Sequence, residues 1–373
     1  MARAAAPQET EAPPEADRLE GFPHPRETPK LFGHEAAERL LAGAFAGGHL
    51  HHAWLLTGRR GIGKATLAYR LARHALAEPH ERKTGTLEVA PTTIAARQVN
   101  ALSHPGLLLL RRPYDLRAKR FGQTIPVDEV RRLKSFLGLT SAANAWRIVL
   151  IDSADELNLN AANALLKSLE EPPARTLFLL LSAEPNQLLA TIRSRCRRLD
   201  LAPLSAEPLR QAATAALAAG EIELPAAEAW DKLERLAQGS VRTLLQLTAA
   251  GGLELHARIE RCLGSLPELD WPTAHALTDG LGYGASEQHY EAFFALFLDA
   301  LAGLVRARAT AEGRPADRAL AERLIAPERL PDWAAFWQAA VRERAEASEL
   351  NLDRKAMLTD LFARLERLAR ARA

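Results

Sequence analysis

A glycine-rich stretch, GRRGIGKAT, is the part of the sequence best suited to chemistry. In it Gly58, Gly61 and Gly63 precede Lys64, after a short apolar run and before a helix pattern. Glycines let backbone N–H groups close around phosphate oxygens, and the lysine ammonium supplies positive charge to the β and γ phosphates. The amino end of the following helix adds partial positive charge. The spacing therefore predicts a phosphate-binding loop (P-loop) for a nucleotide.

The same loop lacks the hydroxyl that usually holds magnesium. A serine or threonine normally follows the lysine, but here the residue is Ala65. Thr66 comes next, and one helical step rotates it by about 100° away from that position. We therefore expect that no cofactor is required, and that ATP or ADP binds weakly at most, without a well-placed metal.

A second departure lies at the end of the apolar run RIVLID, residues 147–152. In P-loop ATPases an aspartate in this position helps to hold Mg²⁺, and Asp152 fits. Hydrolysing members with a double-acidic signature have a glutamate next, whereas this chain has Ser153. A serine hydroxyl is a poor general base near neutral pH, and Asp155 cannot be assumed to replace the glutamate. Two missing groups at one centre predict a site without turnover.

The elements that must position these residues form an α/β pattern. Short apolar runs bounded by breakers predict buried strands at 53–57, 104–110, 147–152 and 176–182. Between the last two, Leu165 and Leu169 belong to an apolar helical face that ends at Pro172. Strand, helix and parallel strand make an α/β unit. Ligands bind at the carboxyl ends of such strands, which is where Asp152 and Ser182 fall.

The length of 373 residues allows two or three domains. Residues 1–20 are rich in Pro, Ala and Glu, and this composition predicts a disordered tail. We expect the α/β domain at 21–204 and a small helical domain at 205–253, with helices at 206–219, 225–237 and 240–249. Residues 254–373 are again helical and end in an amphipathic helix at 352–371.

Composition excludes several classes of protein. The net charge is +2, so overall charge gives no argument for nucleic-acid binding. The two cysteines form neither a disulfide framework nor a zinc spacing, and we expect a cytoplasmic protein. No stretch approaches the roughly 20 apolar residues of a membrane span, and the N-terminus has no apolar core for a signal peptide.

One basic run leaves two interpretations open. Five basic residues fall within ten positions: Arg111, Arg112, Arg117, Lys119 and Arg120. They could form a DNA-facing patch, or they could belong to a solvated loop, which is at least as common for such a run.

Five segments together resemble the clamp-loader branch of the AAA+ ATPases: GRRGIGKAT, RIVLIDSADEL, NAANALLKSLEEPPARTLFLLLSAEP, LLATIRSRCRRLDLAPL and GSVRTLLQL. The resemblance is densest over residues 31–250 and, within that branch, is greatest to the delta-prime subunits of bacterial DNA polymerase III. It implies an AAA+ fold, with a P-loop parallel sheet covered by helices on both faces. A small helical lid and an all-α collar, which joins the subunits of a pentamer, would follow.

The resemblance also implies a role for one arginine. In clamp loaders each ATP site lies between neighbours, and one subunit provides the P-loop while the next provides an arginine from an SRC motif. Here that motif is Ser194, Arg195 and Cys196, so Arg195 is the candidate arginine finger in trans. A guanidinium is always charged and its fork matches phosphate oxygens. The alternative is a surface arginine within a basic cluster.

Three further features bear on the kind of subunit. Many delta-prime and gamma subunits have a four-cysteine zinc module after the P-loop helix; this chain has no cysteine there, so we predict no zinc. The degraded P-loop fits delta-prime better than the gamma/tau motor. Arg242 fits the second sensor motif of the lid, where it would either face a phosphate of its own subunit or be structural.

The sequence thus predicts a non-hydrolysing clamp-loader subunit that completes a neighbour's ATP site while a sliding clamp is loaded onto primed DNA during DNA replication. Expected partners are the gamma/tau and delta subunits, with the clamp and DNA reached through the complex and no membrane involved. One rival is an active gamma/tau-like AAA+ ATPase motor subunit. The other is a DNA-binding regulator with a vestigial AAA+ core, for which the sequence has no base-reading motif.

Overall fold

The computed structural model describes residues 14–117, 120–138, 145–249, 251–282, 287–350 and 353–371. The chain divides into two compact units, Met1–Arg242 and Thr243–Ala373. The first unit contains the P-loop together with all the other site residues named above. It also contains residues 205–242, so the predicted boundaries at residues 204 and 253 do not coincide with this division and stay predictions.

The first unit is built on a parallel sheet. Its strands, within the described residues, are β1 (Ala53–Thr57), β2 (Leu107–Leu110), β3 (Tyr114–Asp115), β4 (Arg120–Phe121), β5 (Arg147–Asp152), β6 (Thr176–Ser182) and β7 (Arg197–Asp200). Five of these strands pair in parallel in the order β2-β5-β6-β1-β7. β3 and β4 form a short antiparallel pair. The strands predicted at 53–57, 147–152 and 176–182 are confirmed with these bounds, whereas the run at 104–110 forms a strand only over 107–110 and is half-buried. β3, β4 and β7 were not predicted.

Helices cover both faces of the sheet. Those of the first unit are α1 (Glu35–Ala46), α2 (Lys64–Leu76), α3 (Ile94–Asn100), α4 (Val127–Gly138), α5 (Leu159–Glu170), α6 (Ala190–Arg193), α7 (Ala206–Ala219) and α8 (Ala227–Ala237). A further helix, α9 (Val241–Thr248), starts at the end of this unit. Successive strand residues point to opposite faces, so Leu56 belongs to the apolar cluster that contains Leu67 of α2, while Leu55 belongs to the cluster that contains Leu165 of α5. The predicted fold class is confirmed.

The segment before α1 packs against the sheet domain from residue 14 onward, although composition predicted a disordered tail through residue 20. Asp17 forms ion pairs with Arg111 and His24, and Glu15 forms ion pairs with Arg111 and Arg26. These long-range pairings order the segment. Composition missed them because it counts charges without knowing which charges meet. Residues 1–13 lie outside the described residues.

The second unit is helical, as predicted. Its helices are α10 (Gly252–Ser265), α11 (Trp271–Leu281), α12 (Glu287–Thr310), α13 (Pro315–Leu324), α14 (Leu330–Leu350) and α15 (Arg354–Arg370). Phe293 and Phe297 of α12 contact the ring of Phe362 of α15, and Trp333 of α14 is also buried. None of the helices in the described part of the chain has the length and apolar character to cross a membrane.

Candidate functional site

The P-loop lies between β1 and α2, at the carboxyl edge of the sheet. Two of its glycines leave no space for a side chain. A Cβ at Gly58 (φ +133°) would lie 2.4 Å from the Leu201 carbonyl oxygen, and a Cβ at Gly61 (φ +76°) would lie 2.4 Å from the Cβ of Arg242. A positive φ is also costly for residues other than glycine. The glycine pattern therefore serves chain packing as well as phosphate approach.

Lys64 is turned back onto its own loop. Its Nζ donates to the carbonyl oxygens of Gly58 at 2.5 Å and Arg59 at 2.7 Å, and the residue is only 8% exposed. Desolvation lowers the pKa of Lys64 to about 8, although the carboxylates of Asp152 and Asp155 oppose the shift. A nucleotide phosphate could take the place of the two carbonyl oxygens, so the lysine is suited to phosphate binding.

The first turn of α2 contains the position at which P-loop proteins usually hold magnesium. Ala65 packs against the apolar cluster behind the P-loop and offers no oxygen. Thr66 is the next residue of the same turn and is half-buried. A hard cation such as Mg²⁺ requires oxygen ligands, and the position after the lysine supplies none.

Asp152 ends β5 at the same edge, where it pairs in register with Leu181, the neighbour of Ser182. Desolvation raises the pKa of Asp152 to about 7, and the nearby charges of Asp17 and Glu156 add to the rise. The position after the lysine adds no oxygen ligand at this edge, because it is Ala65.

Ser182 ends β6 next to this carboxylate. It is fully buried, and its hydroxyl has no hydrogen-bond partner among the described residues. Because β1 and β6 are in register, Ser182 lies opposite Thr57, the residue before the P-loop. The sequence prediction that Asp152 and Ser182 share the carboxyl edge with the P-loop is consistent with this geometry.

The polar residues that follow Asp152 all form contacts within the chain. Ser153 Oγ donates to Asp152 Oδ1 at 3.2 Å. Asp155 accepts a hydrogen bond from the Ala183 backbone N–H at 3.1 Å. Glu156 forms ion pairs with Arg60 at 3.0 Å and with Arg112 at 2.8 Å. A general base must be able to take a proton from the attacking water, and neither carboxylate is held for that purpose.

The amino end of α9 sits directly on the P-loop. The Ser240 hydroxyl donates to the Arg60 carbonyl oxygen at 2.9 Å, and the Val241 and Arg242 N–H groups both point to the Gly61 carbonyl, at 2.9 and 3.4 Å. Arg242 is thereby placed beside the loop.

Arg195 lies at the other edge of the sheet. It follows α6 and precedes β7, whose first residue, Arg197, pairs with Trp54 near the start of β1. The P-loop instead follows Thr57 at the end of β1. At about 3.3 Å per strand residue, at least ~10 Å of sheet separates Arg195 from the P-loop of the same chain. The structure therefore does not bring Arg195 together with the other predicted site residues.

Two groups hold the Arg195 guanidinium. Its Nη2 pairs with Glu170 Oε1 at 2.5 Å, and its Nη1 donates to the Thr191 carbonyl oxygen at 2.9 Å. Glu170 was not predicted from the sequence as a functional residue. The only available signal was the acidic pair at the end of the α5 helix pattern. Cys196 packs against the apolar cluster on the α5 face, and burial raises the pKa of its thiol to about 12.

The sequence of this chain is similar to those of known proteins. A sequence model of the family described as DNA polymerase III, delta subunit, matches residues 33–205. The DNA polymerase III subunit delta' of Pseudomonas aeruginosa is 36% identical over 208 residues, which cover 56% of this chain and 59% of that protein. The chain is similar to the delta-prime subunits of DNA polymerase III. The resemblance predicted from the sequence motifs is thereby confirmed.

The chain is also similar to a second delta' subunit and to a gamma subunit of DNA polymerase III. The delta' subunit of Escherichia coli K12 is 36% identical over 44% of this chain and 46% of that protein, and the gamma subunit of Buchnera aphidicola is 30% identical over 50% and 47%. The chain thus covers less than two thirds of each of these relatives. A solved gamma subunit-related protein from Thermotoga maritima matches with a TM-score of 0.40 and 16% identity over 88% of this chain and 99% of that chain.

Two of the five basic residues after β2 are engaged in ion pairs. Arg111 is paired with Glu15 and Asp17, and Arg112 is paired with Glu156. Arg117 is exposed, while Lys119 lies outside the described residues and the Arg120 side chain is not described. For Arg111 and Arg112, the interpretation as a DNA-facing patch loses its support.

No cluster of three or more histidine, cysteine, aspartate or glutamate residues suited to a metal ion is present in the described parts of the chain. The prediction of no zinc rests on the sequence, which has cysteine only at positions 196 and 262.

Proposed function

We propose that this chain is a clamp-loader subunit of the delta-prime type. It lends Arg195 to the ATP site of a neighbouring subunit and does not hydrolyse ATP itself. The proposal includes the gamma/tau and delta subunits as partners, with the sliding clamp and primed DNA reached through the assembled complex. The similarity to DNA polymerase III subunits over residues 33–205 supports the assembly.

The position of Arg195 is the observation that carries the proposal. The guanidinium is held by Glu170 at the amino edge of the sheet, while the P-loop lies at the carboxyl edge. An arginine fixed there is too far from the phosphates of its own chain. It is partly exposed, so it can meet a phosphate group that a second subunit presents. Such a finger stabilises transition-state charge and can raise a rate by about 10³–10⁵.

The chain's own nucleotide site supports the second half of the proposal. Position 65 offers no metal ligand, position 153 offers no general base, and Asp155 and Glu156 are engaged elsewhere. Weak ATP or ADP binding through the glycines and Lys64 remains compatible with this arrangement, but hydrolysis lacks two of its groups. The role of the chain would then be a fixed partner for the motor subunits.

The test is the DNA-stimulated ATPase activity of a clamp loader reconstituted with variants of this chain. Arg195→Ala should lower turnover of the complex at least about threefold, because one site loses transition-state stabilisation while other sites continue. Lys64→Ala should leave turnover unchanged. Arg193→Ala is the matched control, since it removes an exposed arginine two positions away in the same basic cluster.

The results for the three variants distinguish the candidate functions. Equal losses for Arg193→Ala and Arg195→Ala would mean that the cluster acts through general positive charge. A loss for Lys64→Ala would favour the second candidate, a gamma/tau-like motor subunit, which the 30% identity to a gamma subunit keeps in view. In that case the P-loop of this chain would be a working site.

A further inference from the structure

Glu170 is an exposed acidic residue that forms an ion pair with Arg195. It is the last residue of α5, and its Oε1 lies 2.5 Å from Nη2 of Arg195. The two side chains are 46% and 33% exposed. Arg195 is held a second time by the carbonyl oxygen of Thr191, at 2.9 Å from Nη1. The guanidinium is therefore fixed from two different elements before any partner arrives.

Glu170 is mounted on a rigid support. The preceding residue, Leu169, is buried in the apolar cluster of the sheet. Its carbonyl oxygen lies 3.0 Å from Nε2 of His52, just before β1. Pro172 and Pro173 follow, so the helix cannot continue past the acidic pair. The backbone that carries the Glu170 carboxylate is therefore fixed, and the ion pair positions the Arg195 guanidinium relative to it.

The pair restrains Arg195 without using up its hydrogen-bonding capacity. A guanidinium has five N–H donors, and the bonds to Glu170 and Thr191 involve one donor from each terminal nitrogen. A long side chain loses considerable rotamer freedom when it is fixed. The two bonds already restrict Arg195 in the subunit on its own, before a neighbour binds. A phosphate that meets the remaining donors then finds the guanidinium in place, which is how preorganised groups accelerate reactions.

We propose that Glu170 is a positioning residue for Arg195: it holds the guanidinium at the subunit surface in the orientation that the neighbour's nucleotide phosphate requires. This inference rests on the proposed function of Arg195 in trans. Glu170 itself touches neither the nucleotide nor the reacting atoms. The adjacent Glu171 shares its charge and surface position, but it makes no ion pair among the described residues.

The experiment compares Glu170→Gln with Glu171→Gln, each in the chain with Arg195 and in the chain with Arg195→Ala. The readouts are the turnover number and the KM for ATP of the reconstituted, DNA-stimulated clamp loader. With Arg195 present, Glu170→Gln should lower the turnover number about 2- to 5-fold and leave KM nearly unchanged, since the interaction acts in the transition state. In the Arg195→Ala background it should change nothing. Glu171→Gln should be silent in both.

The thermal midpoint of each variant is measured alongside, and it should not move for Glu170→Gln, because an exposed ion pair adds little to stability. Equal losses in both backgrounds would overturn the proposal, because Glu170 would then act without Arg195. Unchanged or faster turnover with Arg195 present would also overturn it. If Arg195→Ala alone is silent, the proposed function itself fails, and the two failures are thus distinguished.

Discussion

The Val241 backbone N–H donates to the Gly61 carbonyl oxygen at 2.9 Å, so α9 begins directly on the P-loop. The approach is close enough that a single methyl group on Gly61 would lie 2.4 Å from the Cβ of Arg242 and 2.6 Å from the Ser240 hydroxyl. The P-loop therefore also packs against the start of α9. A substitution in the loop should change the free energy of unfolding even when no nucleotide is present.

Gly61→Ala should destabilise the protein by about 2–3 kcal/mol, because the new methyl group overlaps Arg242 and the φ of +76° disfavours alanine. The free energy of unfolding in denaturant measures this. Gly43→Ala is the control, since it lies inside α1 with nothing within 4 Å of a new Cβ. It should stabilise by about 0.5–1 kcal/mol. Equal effects at the two glycines would contradict the close packing at Gly61.

Asp152 should make stability fall as pH rises between about 4 and 7. Desolvation, with the charges of Asp17 and Glu156, raises its folded pKa to about 7 from an ordinary 3.8. Between these two values the folded state keeps a proton that the unfolded state has lost, so the unfolding free energy decreases with pH. The contribution is complete below pH 4 and lost above pH 7, which is the reverse of a salt-bridged carboxylate.

Asp152→Asn should remove this dependence. Unfolding free energies of the two proteins should be close at pH 4, and the asparagine variant should gain up to about 4 kcal/mol relative to the parent by pH 7.5. Lys64 partly offsets the gain, because it loses a nearby negative charge. Parallel pH profiles for the two proteins would show that Asp152 ionises normally.

Asp17 anchors the N-terminal segment through a buried ion pair. Its side chain is 6% exposed and lies 2.5 Å from Arg111 and 3.0 Å from His24. Burial alone would raise the pKa of Asp17, but His24 and Arg111 outweigh it and lower the pKa. Asp17→Asn should cost about 2–4 kcal/mol, because His24 and Arg111 each lose a partner charge in a largely buried contact. Arg111 keeps its second ion pair, with Glu15.

Asp128→Asn is the matched control for this change. Its ion pair with Arg131 is exposed, at 78% and 71% for the two side chains, so its loss should stay within about 0.5 kcal/mol. Chemical denaturation at neutral pH measures both. A small effect at Asp17 would mean that the segment from residue 14 contributes little to the stability of the domain.

The sequence alone predicts the bounds of those elements whose apolar residues form a continuous run or recur with a helical period. The strands 147–152 and 176–182 have the predicted bounds, and α7 matches the predicted helix 206–219. β7 was missed because Arg197, Arg198 and Asp200 give it no apolar pattern. It lies at the edge of the sheet, where charged side chains are common because one side of the strand faces solvent.

The candidate site could be predicted as a set of residues but not as an arrangement. The P-loop glycines, Lys64 and Asp152 follow from local motifs, since the chemistry depends on short spacing. The pairing of Glu170 with Arg195 depends on the end of α5 meeting the segment before β7, which only the folded chain determines. The same holds for Asp17, which reaches Arg111 across 94 positions of sequence.

The missing hydroxyl at position 65 can be restored to test the account of the nucleotide site. Ala65→Ser places an oxygen where P-loop proteins hold magnesium. We expect Mg²⁺ to tighten ATP binding about tenfold in this variant, equivalent to about 1.4 kcal/mol. In the parent chain Mg²⁺ should have little effect. Turnover should stay absent in both, because Ser153 still replaces the general base.

Calorimetric titration with ATP, with Mg²⁺ and with a chelator, measures the difference. Thr66→Ala is the control, since a residue one helical step further on points about 100° away from the metal position. It should leave the Mg²⁺ dependence of the parent unchanged. If Thr66→Ala instead weakens Mg²⁺-dependent binding, Thr66 already supplies the ligand, and the degraded P-loop would be a functional one. ATP hydrolysis by the Ala65→Ser variant would show that a residue other than the one at position 153 acts as the general base.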